Sequence, residues 1–128
     1  MHAVLAICLG ACAGALLRWQ LGLWLNHAGA WLPWGPLAAN LIGGYLVGLA
    51  VALLHHHPQL APTWRLLLVT GFLGALTTFS SFSAEVVDMA LAQRWGLAAV
   101  TVLAHLSGSL LLTFAGIRTA LVLIAARA

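Results

Sequence analysis

Hydroxyl side chains are concentrated in one stretch of an otherwise apolar chain. Gly71 and Gly74 open this stretch, and five hydroxyl residues and two phenylalanines follow within seven positions, Thr77-Thr78-Phe79-Ser80-Ser81-Phe82-Ser83. Glycine weakens a helix through its backbone freedom, and Ser and Thr hydroxyls offer the backbone partners outside the helical ladder. The stretch therefore predicts a helix break. Protein, water or an ion must then form bonds with the carbonyl and amide groups that the break leaves free. The alternative is a face of small residues packed against another helix.

Charged side chains are few. The only acids are Glu85 and Asp88; Glu85 lies about one turn beyond the hydroxyl run and is a candidate for an ion pathway, whereas Asp88 is expected to be solvated. Arg18 shares a helix face with Gly10 and Gly14, which would allow close helix approach. Its guanidinium is expected either to face protein or a water-filled vestibule, or to extend to the membrane interface.

Two further sets of polar residues lie within apolar segments. Asn40 needs a partner, either another helix or a passing solute. A stripe of polar residues with a period of four is expected to face a partner or a water-filled path. Its members are Thr101, His105, Ser109 and Thr113. Three adjacent histidines at 55–57 have no accompanying Cys or carboxylate, so an interfacial loop is favoured over a metal site.

The composition places the chain in a membrane. Of its 128 residues, 63% are hydrophobic and 5% are charged, and the mean hydropathy is +1.06. A globule of this size is mostly surface and cannot bury so much apolar area. The net charge of +3 is spread thinly, which indicates membrane orientation rather than nucleic-acid binding. Cys8 and Cys12 are expected to be buried free thiols rather than a disulfide or a metal site.

Four apolar segments are long enough to cross a bilayer, at about 3–25, 34–54, 63–92 and 97–124. The fold class is therefore all-α integral membrane, with one four-helix domain over residues 1–128. If unbroken, the third segment would extend about 45 Å, which is longer than a bilayer core. The helix must therefore tilt or break near its centre.

Arginines give a weak orientation signal. With a cytoplasmic N-terminus, Arg65, Arg118 and Arg127 fall inside and Arg94 outside, a small bias for a rule that depends on loop Lys and Arg. Insertion in both orientations with antiparallel pairing is consistent with that bias.

In order and spacing, these motifs resemble the Fluc-type, CrcB-like family of fluoride channels over nearly the whole chain. The motifs are Gly10-x-x-x-Gly14-Ala15-x-x-Arg18, Asn40-x-x-Gly43-Gly44 and Gly71-Phe72-x-Gly74-x-x-Thr77-Thr78-Phe79-Ser80-Ser81-Phe82. The resemblance implies a third helix broken at mid-membrane and an antiparallel, dual-topology homodimer with two pores. It also implies passive export of fluoride across the bacterial inner membrane, which protects the cell from fluoride toxicity.

The resemblance also implies roles for single residues. Carbonyls of Gly74 and Thr77 from both subunits would hold a central, structural sodium ion, and Arg18 would lie near the vestibule. The fluoride path would be lined by Asn40, Phe79, Phe82, Ser80, Ser81, Ser83, Thr101, His105 and Ser109. Thr101 stands where the family often has Tyr, and His105 where it often has Ser.

Two other functions stay open at this point. A small dual-topology, proton-coupled multidrug exporter has a similar size and helix count, but it centres on a first-helix Glu that this chain lacks. A non-transporting subunit of a larger membrane assembly would use the same polar residues to join helices. No nucleophile–base pair or phosphate-binding loop is found in the sequence, so we do not expect an enzyme.

Overall fold

The structure is a computed structural model of one chain and describes residues 1–27, 30–57, 59–60 and 62–126. Arg127, which enters the orientation argument, lies outside these residues. Within the described ranges the regular structure is entirely helical, and four segments are long and apolar enough to cross a membrane. The prediction of an all-α membrane chain with four candidate spans is therefore confirmed.

The first, second and fourth spans are single helices. They are α1 (His2–Leu25), α2 (Trp34–His56) and α6 (Trp95–Ala125). The third span, Pro62–Leu91, is assembled from shorter pieces: α3 (Pro62–Arg65), a π-helical stretch π1 (Leu66–Leu73), α4 (Gly74–Leu76) and α5 (Phe79–Leu91).

Two threonines separate α4 from α5. Thr77 has φ −79° and ψ 151°, and Thr78 has φ −146° and ψ 115°, so both are extended. The Thr77 hydroxyl donates to the carbonyl oxygen of Leu73 at 2.9 Å, and the Thr78 hydroxyl accepts from the backbone N–H of Ser81 at 3.1 Å. The second bond is an N-cap, which satisfies one of the free amides at the start of α5.

Helix α1 packs against π1 and α4 at backbone distance. A Cβ added at Gly10 would meet the Leu67 carbonyl oxygen, and one added at Gly14 would meet the Phe72 carbonyl oxygen. The four-residue spacing of these glycines places both on the contact face, so the two backbones can approach closely. Helices α2 and α6 approach in the same way, because a Cβ at Gly48 would meet the carbonyl oxygen of Thr113.

Large apolar side chains cover the outer faces. Leu9, Leu16 and Phe114 are all exposed on the single chain, as expected where lipid or another copy takes the place of water. Cys8 and Cys12 are free but exposed, so the prediction of buried thiols was wrong. The glycines occupy the inner face of α1, and the cysteines share the outward face with Leu9.

A tight connection orients α5 against α6. Gln93 has φ +58°, and the N–H of Arg94 donates to the Met89 carbonyl oxygen at 2.9 Å. The N–H of Gln93 donates to the Ala90 carbonyl oxygen at 3.0 Å. This pair of bonds is the Schellman motif, which ends a helix and reverses the chain within a few residues. Phe82 on α5 can therefore lie against His105 on α6.

Candidate functional site

A cavity of about 490 Å³ opens between α2, the third span and α6. We call it the central groove. Its polar lining comes from Asn40, Thr77, Thr78, His105, Ser109 and Thr113, and its aromatic lining from Phe79 and Phe82. The groove thus joins the extended threonines, the asparagine of α2 and three members of the α6 stripe.

The Asn40 amide pairs with the backbone of Thr78. Its Oδ1 accepts from the Thr78 N–H at 2.7 Å, and its Nδ2 donates to the Thr78 carbonyl oxygen at 3.1 Å. The Thr78 N–H is outside the helical ladder because Thr77 and Thr78 are extended, whereas the Thr78 carbonyl oxygen, at the N-cap, is the first acceptor of α5. Buried backbone groups need partners. Asn40 therefore supports the extended segment, and the two bonds fix which end of the amide is nitrogen.

His105 completes the polar end of the groove. Asn40 Nδ2 lies 3.0 Å from His105 Nδ1, so both amide protons of Asn40 are engaged within the protein. The imidazole is 4% exposed and lies over the Phe82 ring, with centroids 4.8 Å apart and planes at 32°. That Asn40 lines a fluoride path stays a prediction, and donation from its amide to fluoride would require one of these bonds to open.

The two phenylalanines differ in burial. Phe82 is 8% exposed and Phe79 is 75% exposed, and their ring centroids are 5.6 Å apart with planes at 55°. Aromatic ring edges carry positive potential and ring faces negative potential. The tilted pair can therefore offer edges to an anion in the groove.

Four hydroxyls named from the sequence lie outside the described lining of the central groove: Ser80, Ser81, Ser83 and Thr101. Thr101 is fully buried, and its hydroxyl donates to the Leu97 carbonyl oxygen of its own helix at 2.9 Å. Ser81 Oγ accepts from the Thr78 hydroxyl at 3.0 Å. Their roles in a fluoride path stay predictions.

Arg18 lies beside α4. Its Nε donates to the Ala75 carbonyl oxygen at 3.0 Å, near the end of the helical run that precedes Thr77. Cations are favoured at helix C-termini, where carbonyl oxygens lack helical partners. The structure places Arg18 on this carbonyl rather than along the central groove, and its vestibule role stays a prediction.

The carbonyls of Gly74 and Thr77 are available for another partner. In a continuous helix they would accept from the N–H groups of Thr78 and Ser81. Those groups donate elsewhere, to Asn40 Oδ1 and to Thr78 Oγ1. A donor set of neutral carbonyl oxygens fits a monovalent hard cation. In the described part of the chain no three His, Cys, Asp or Glu residues are grouped to hold a metal.

Glu85 lines a different cavity. This second groove of about 360 Å³ also contains His27, Trp31, Asp88 and Arg94. Glu85 Oε2 is buried and has no hydrogen-bond partner among the described residues. The structure therefore separates Glu85 from the central groove.

The comparison with protein families gives a clear result. Residues 5–117 match the family described as CrcB-like protein, Camphor Resistance (CrcB). The chain belongs to the CrcB-like family. The matched range includes every residue that lines the central groove, and the family resemblance stated from the three motifs is confirmed.

Three relatives named as fluoride channels are similar to this chain over nearly their whole length. The chain is 66% identical to a protein of Albidiferax ferrireducens, over 98% of this chain and 95% of the relative. It is 65% identical to one of Variovorax paradoxus (91% and 92%) and 55% identical to one of Pseudomonas aeruginosa (89% and 90%). Each of the three is named fluoride-specific ion channel FluC.

Thr78 is the member of this CrcB-like site that residue-level reasoning did not single out. It contributes its backbone to Asn40 and its hydroxyl to the cap of α5. A threonine just before a helix start is a preferred N-cap residue, and that signal would have marked it. The backbone pairing with Asn40 has no such signal, because it joins residues 38 apart in sequence.

Proposed function

We propose that this chain forms a fluoride-selective channel that exports fluoride passively. The observation that carries the proposal is the central groove, which gathers an amide, an imidazole, hydroxyls and two aromatic rings among four candidate membrane spans. The names of the similar relatives support the same function. The proposed path runs past Asn40, Phe79, Phe82, His105 and Ser109.

The chemistry of the groove suits fluoride. A small, strongly hydrated anion must exchange its water for hydrogen-bond donors, and amide, imidazole and hydroxyl groups supply them. The edges of Phe79 and Phe82 add a weaker attraction. Conduction needs sites that are strong enough for entry and weak enough for exit, and such neutral donors meet both needs. An inside-negative potential favours anion exit by roughly 2.3 kcal/mol per 100 mV, so export needs no coupling.

We propose that the functional unit is an antiparallel homodimer of dual topology. Leu106 and Leu110 line the central groove yet are 51% and 71% exposed on the single chain. A second copy inserted in the opposite orientation would cover this open wall. The weak arginine bias is compatible with both orientations. In this arrangement the third span crosses the membrane as a helix broken at Thr77 and Thr78.

A structural sodium ion is part of the proposal. Carbonyls of Gly74 and Thr77 from both copies would hold it. When bound, the ion supplies positive charge that offsets the cost of an anion at mid-membrane. Ser80, Ser81, Ser83 and Thr101 would continue the polar track along α5 and α6, and Arg18 would lie near the vestibule. The location would be the bacterial inner membrane, where export protects the cell from fluoride toxicity.

Efflux from proteoliposomes that contain only the purified chain tests this function. We expect rapid fluoride efflux under a potassium-set membrane potential, no chloride efflux, and no dependence on an imposed proton gradient. Fluoride movement that requires the proton gradient would indicate a coupled exporter, for which the carboxylate of Glu85, with its buried Oε2, is the candidate group. Absence of flux from folded protein would favour the assembly subunit.

A further inference from the structure

We propose that the Nε2–H of His105 is a direct hydrogen-bond donor to the permeating anion, and that Asn40 holds the imidazole in the tautomer that allows this. The inference rests on the proposed function, because it names a donor within the same groove. It assigns Asn40 a positioning role in addition to its expected contact with fluoride.

The tautomer follows from three hydrogen bonds. The Thr78 N–H donates to Asn40 Oδ1, which fixes the amide so that its Nδ2 faces the Thr78 carbonyl oxygen and His105 Nδ1. Because an amide nitrogen only donates, His105 Nδ1 must accept. The proton of the neutral imidazole then lies on Nε2. The backbone of the extended segment thus sets the proton position on a residue of α6.

His105 Nε2 is a donor without a partner. It is fully buried and has no hydrogen-bond partner among the residues that the structure describes, and the whole residue is only 4% exposed. A buried donor left unpaired is costly, so such a group in a native fold calls for an explanation. Both amide protons of Asn40 are already engaged. Of the side-chain N–H groups of Asn40 and His105, His105 Nε2–H is therefore the one that is free to bind an anion.

The site favours a compact, strongly accepting anion. His105 lines the central groove and its ring lies against Phe82, so an anion at Nε2 would exchange water for one N–H donor in an apolar setting. A hydrogen bond with an ionised partner is about twice as strong as a neutral one. Fluoride is the halide that accepts the strongest hydrogen bonds, so this donor would add to selectivity over chloride.

Two substitutions separate donation from mere packing. His105→Asn keeps an acceptor at the place of Nδ1 and so preserves the bond with Asn40, but it has no donor at the place of Nε2. His105→Gln places an amide N–H2 near Nε2 but offers no acceptor to Asn40. We expect fluoride efflux per folded protein to fall about tenfold or more in His105→Asn, as the loss of a charged hydrogen bond implies. His105→Gln should keep the larger part of the native rate. A His105→Asn rate equal to or above that of His105→Gln would overturn the proposal.

A spectroscopic readout tests the same inference without ion flux. The ¹⁵N shifts of the His105 ring in reconstituted native protein should show a protonated Nε2 and a bare Nδ1. Added fluoride should move the Nε2 resonance more than the Nδ1 resonance, and chloride should move neither. A proton on Nδ1, or shifts unaffected by fluoride in protein that conducts it, would overturn the proposal. If the native chain carries no fluoride, the proposed function fails, and the ring shifts still report whether the site binds the anion.

Discussion

At the scale of single residues, the same side chains hold the groove in shape and supply its hydrogen-bond donors. Asn40 joins the extended backbone of Thr78 to Nδ1 of the His105 imidazole, and the ring of Phe82 packs against that imidazole. A substitution here changes both the shape of the groove and its donors. Flux must therefore be measured per folded protein.

Phe82→Ile tests the aromatic contribution. The substitution keeps apolar bulk but removes the ring edge and the stacking partner of His105. We expect fluoride efflux per folded protein to fall on the order of tenfold, the factor that corresponds to about 1.4 kcal/mol of lost stabilisation. The measurement is initial efflux from proteoliposomes at matched protein content. Native-like efflux from Phe82→Ile would show that the ring edge has no part in permeation.

Residue spacing predicted much of the groove. Asn40 was recognisable as a polar residue within an apolar helix, and the period of four on α6 placed His105, Ser109 and Thr113 on one face, as i and i+4 positions are. The fourth member, Thr101, lies outside the described groove lining because its hydroxyl turns back to its own helix. Local patterns do not specify the pairing of Thr78 with Asn40, since it depends on how α2 meets the third span.

At the scale of elements, the contact between α2 and the extended threonines positions the site. A Cβ added at Gly43 would meet the Thr77 side-chain methyl, so α2 can approach Thr77 only with glycine at this position. Glycines at 10 and 14 do the same for α1 against π1 and α4. The spacing of Gly10 and Gly14 indicated the approach of α1, whereas the contact of Gly43 with Thr77 was not predicted. The π-helical geometry of Leu66–Leu73 was not predictable, because an apolar run with one Thr and one Gly carries no periodic signal for wide turns.

Gly43→Ala tests this contact. The added methyl would displace Thr77, so we expect a loss of about 1–3 kcal/mol of stability, as for overpacked cores, together with reduced fluoride efflux. Gly96→Ala is the matched control, because a Cβ there has no neighbour within 4 Å. Thermal unfolding in detergent and efflux from proteoliposomes give the two readouts. If both variants behave alike, the Gly43 contact does not hold the threonines in place.

At the scale of the whole molecule, the weak arginine bias leads to a topology prediction. If the proposed dual topology holds, a tag at the N-terminus should be labelled from both sides of the membrane, because copies would insert in both orientations. Adding two positive charges to one connection, with His57→Lys and Gln59→Lys, should shift labelling towards one side. One-sided labelling of the native chain would contradict dual topology.

The proposed cation is testable by crystallography of the purified protein. Crystals grown in sodium should show one ion coordinated by carbonyl oxygens of Gly74 and Thr77 from both copies. A heavier monovalent cation soaked into the crystals should give anomalous signal at the same place. Carbonyls without an ion in sodium-grown crystals would remove it from the mechanism.

The most direct measurement asks whether anions cross through the central groove. Fluoride efflux per folded protein should be compared for the native chain, Asn40→Asp and Leu49→Ala. Asn40→Asp replaces the Nδ2 donor with a carboxylate oxygen. The negative carboxylate repels an anion in a region where water screens charge poorly, and it also repels the Thr78 carbonyl oxygen to which Nδ2 donates. Leu49 lies on α2 outside the groove lining and is the control. We expect no detectable fluoride efflux from folded Asn40→Asp protein and largely intact efflux from Leu49→Ala. Native-like efflux from folded Asn40→Asp protein would contradict passage through this groove.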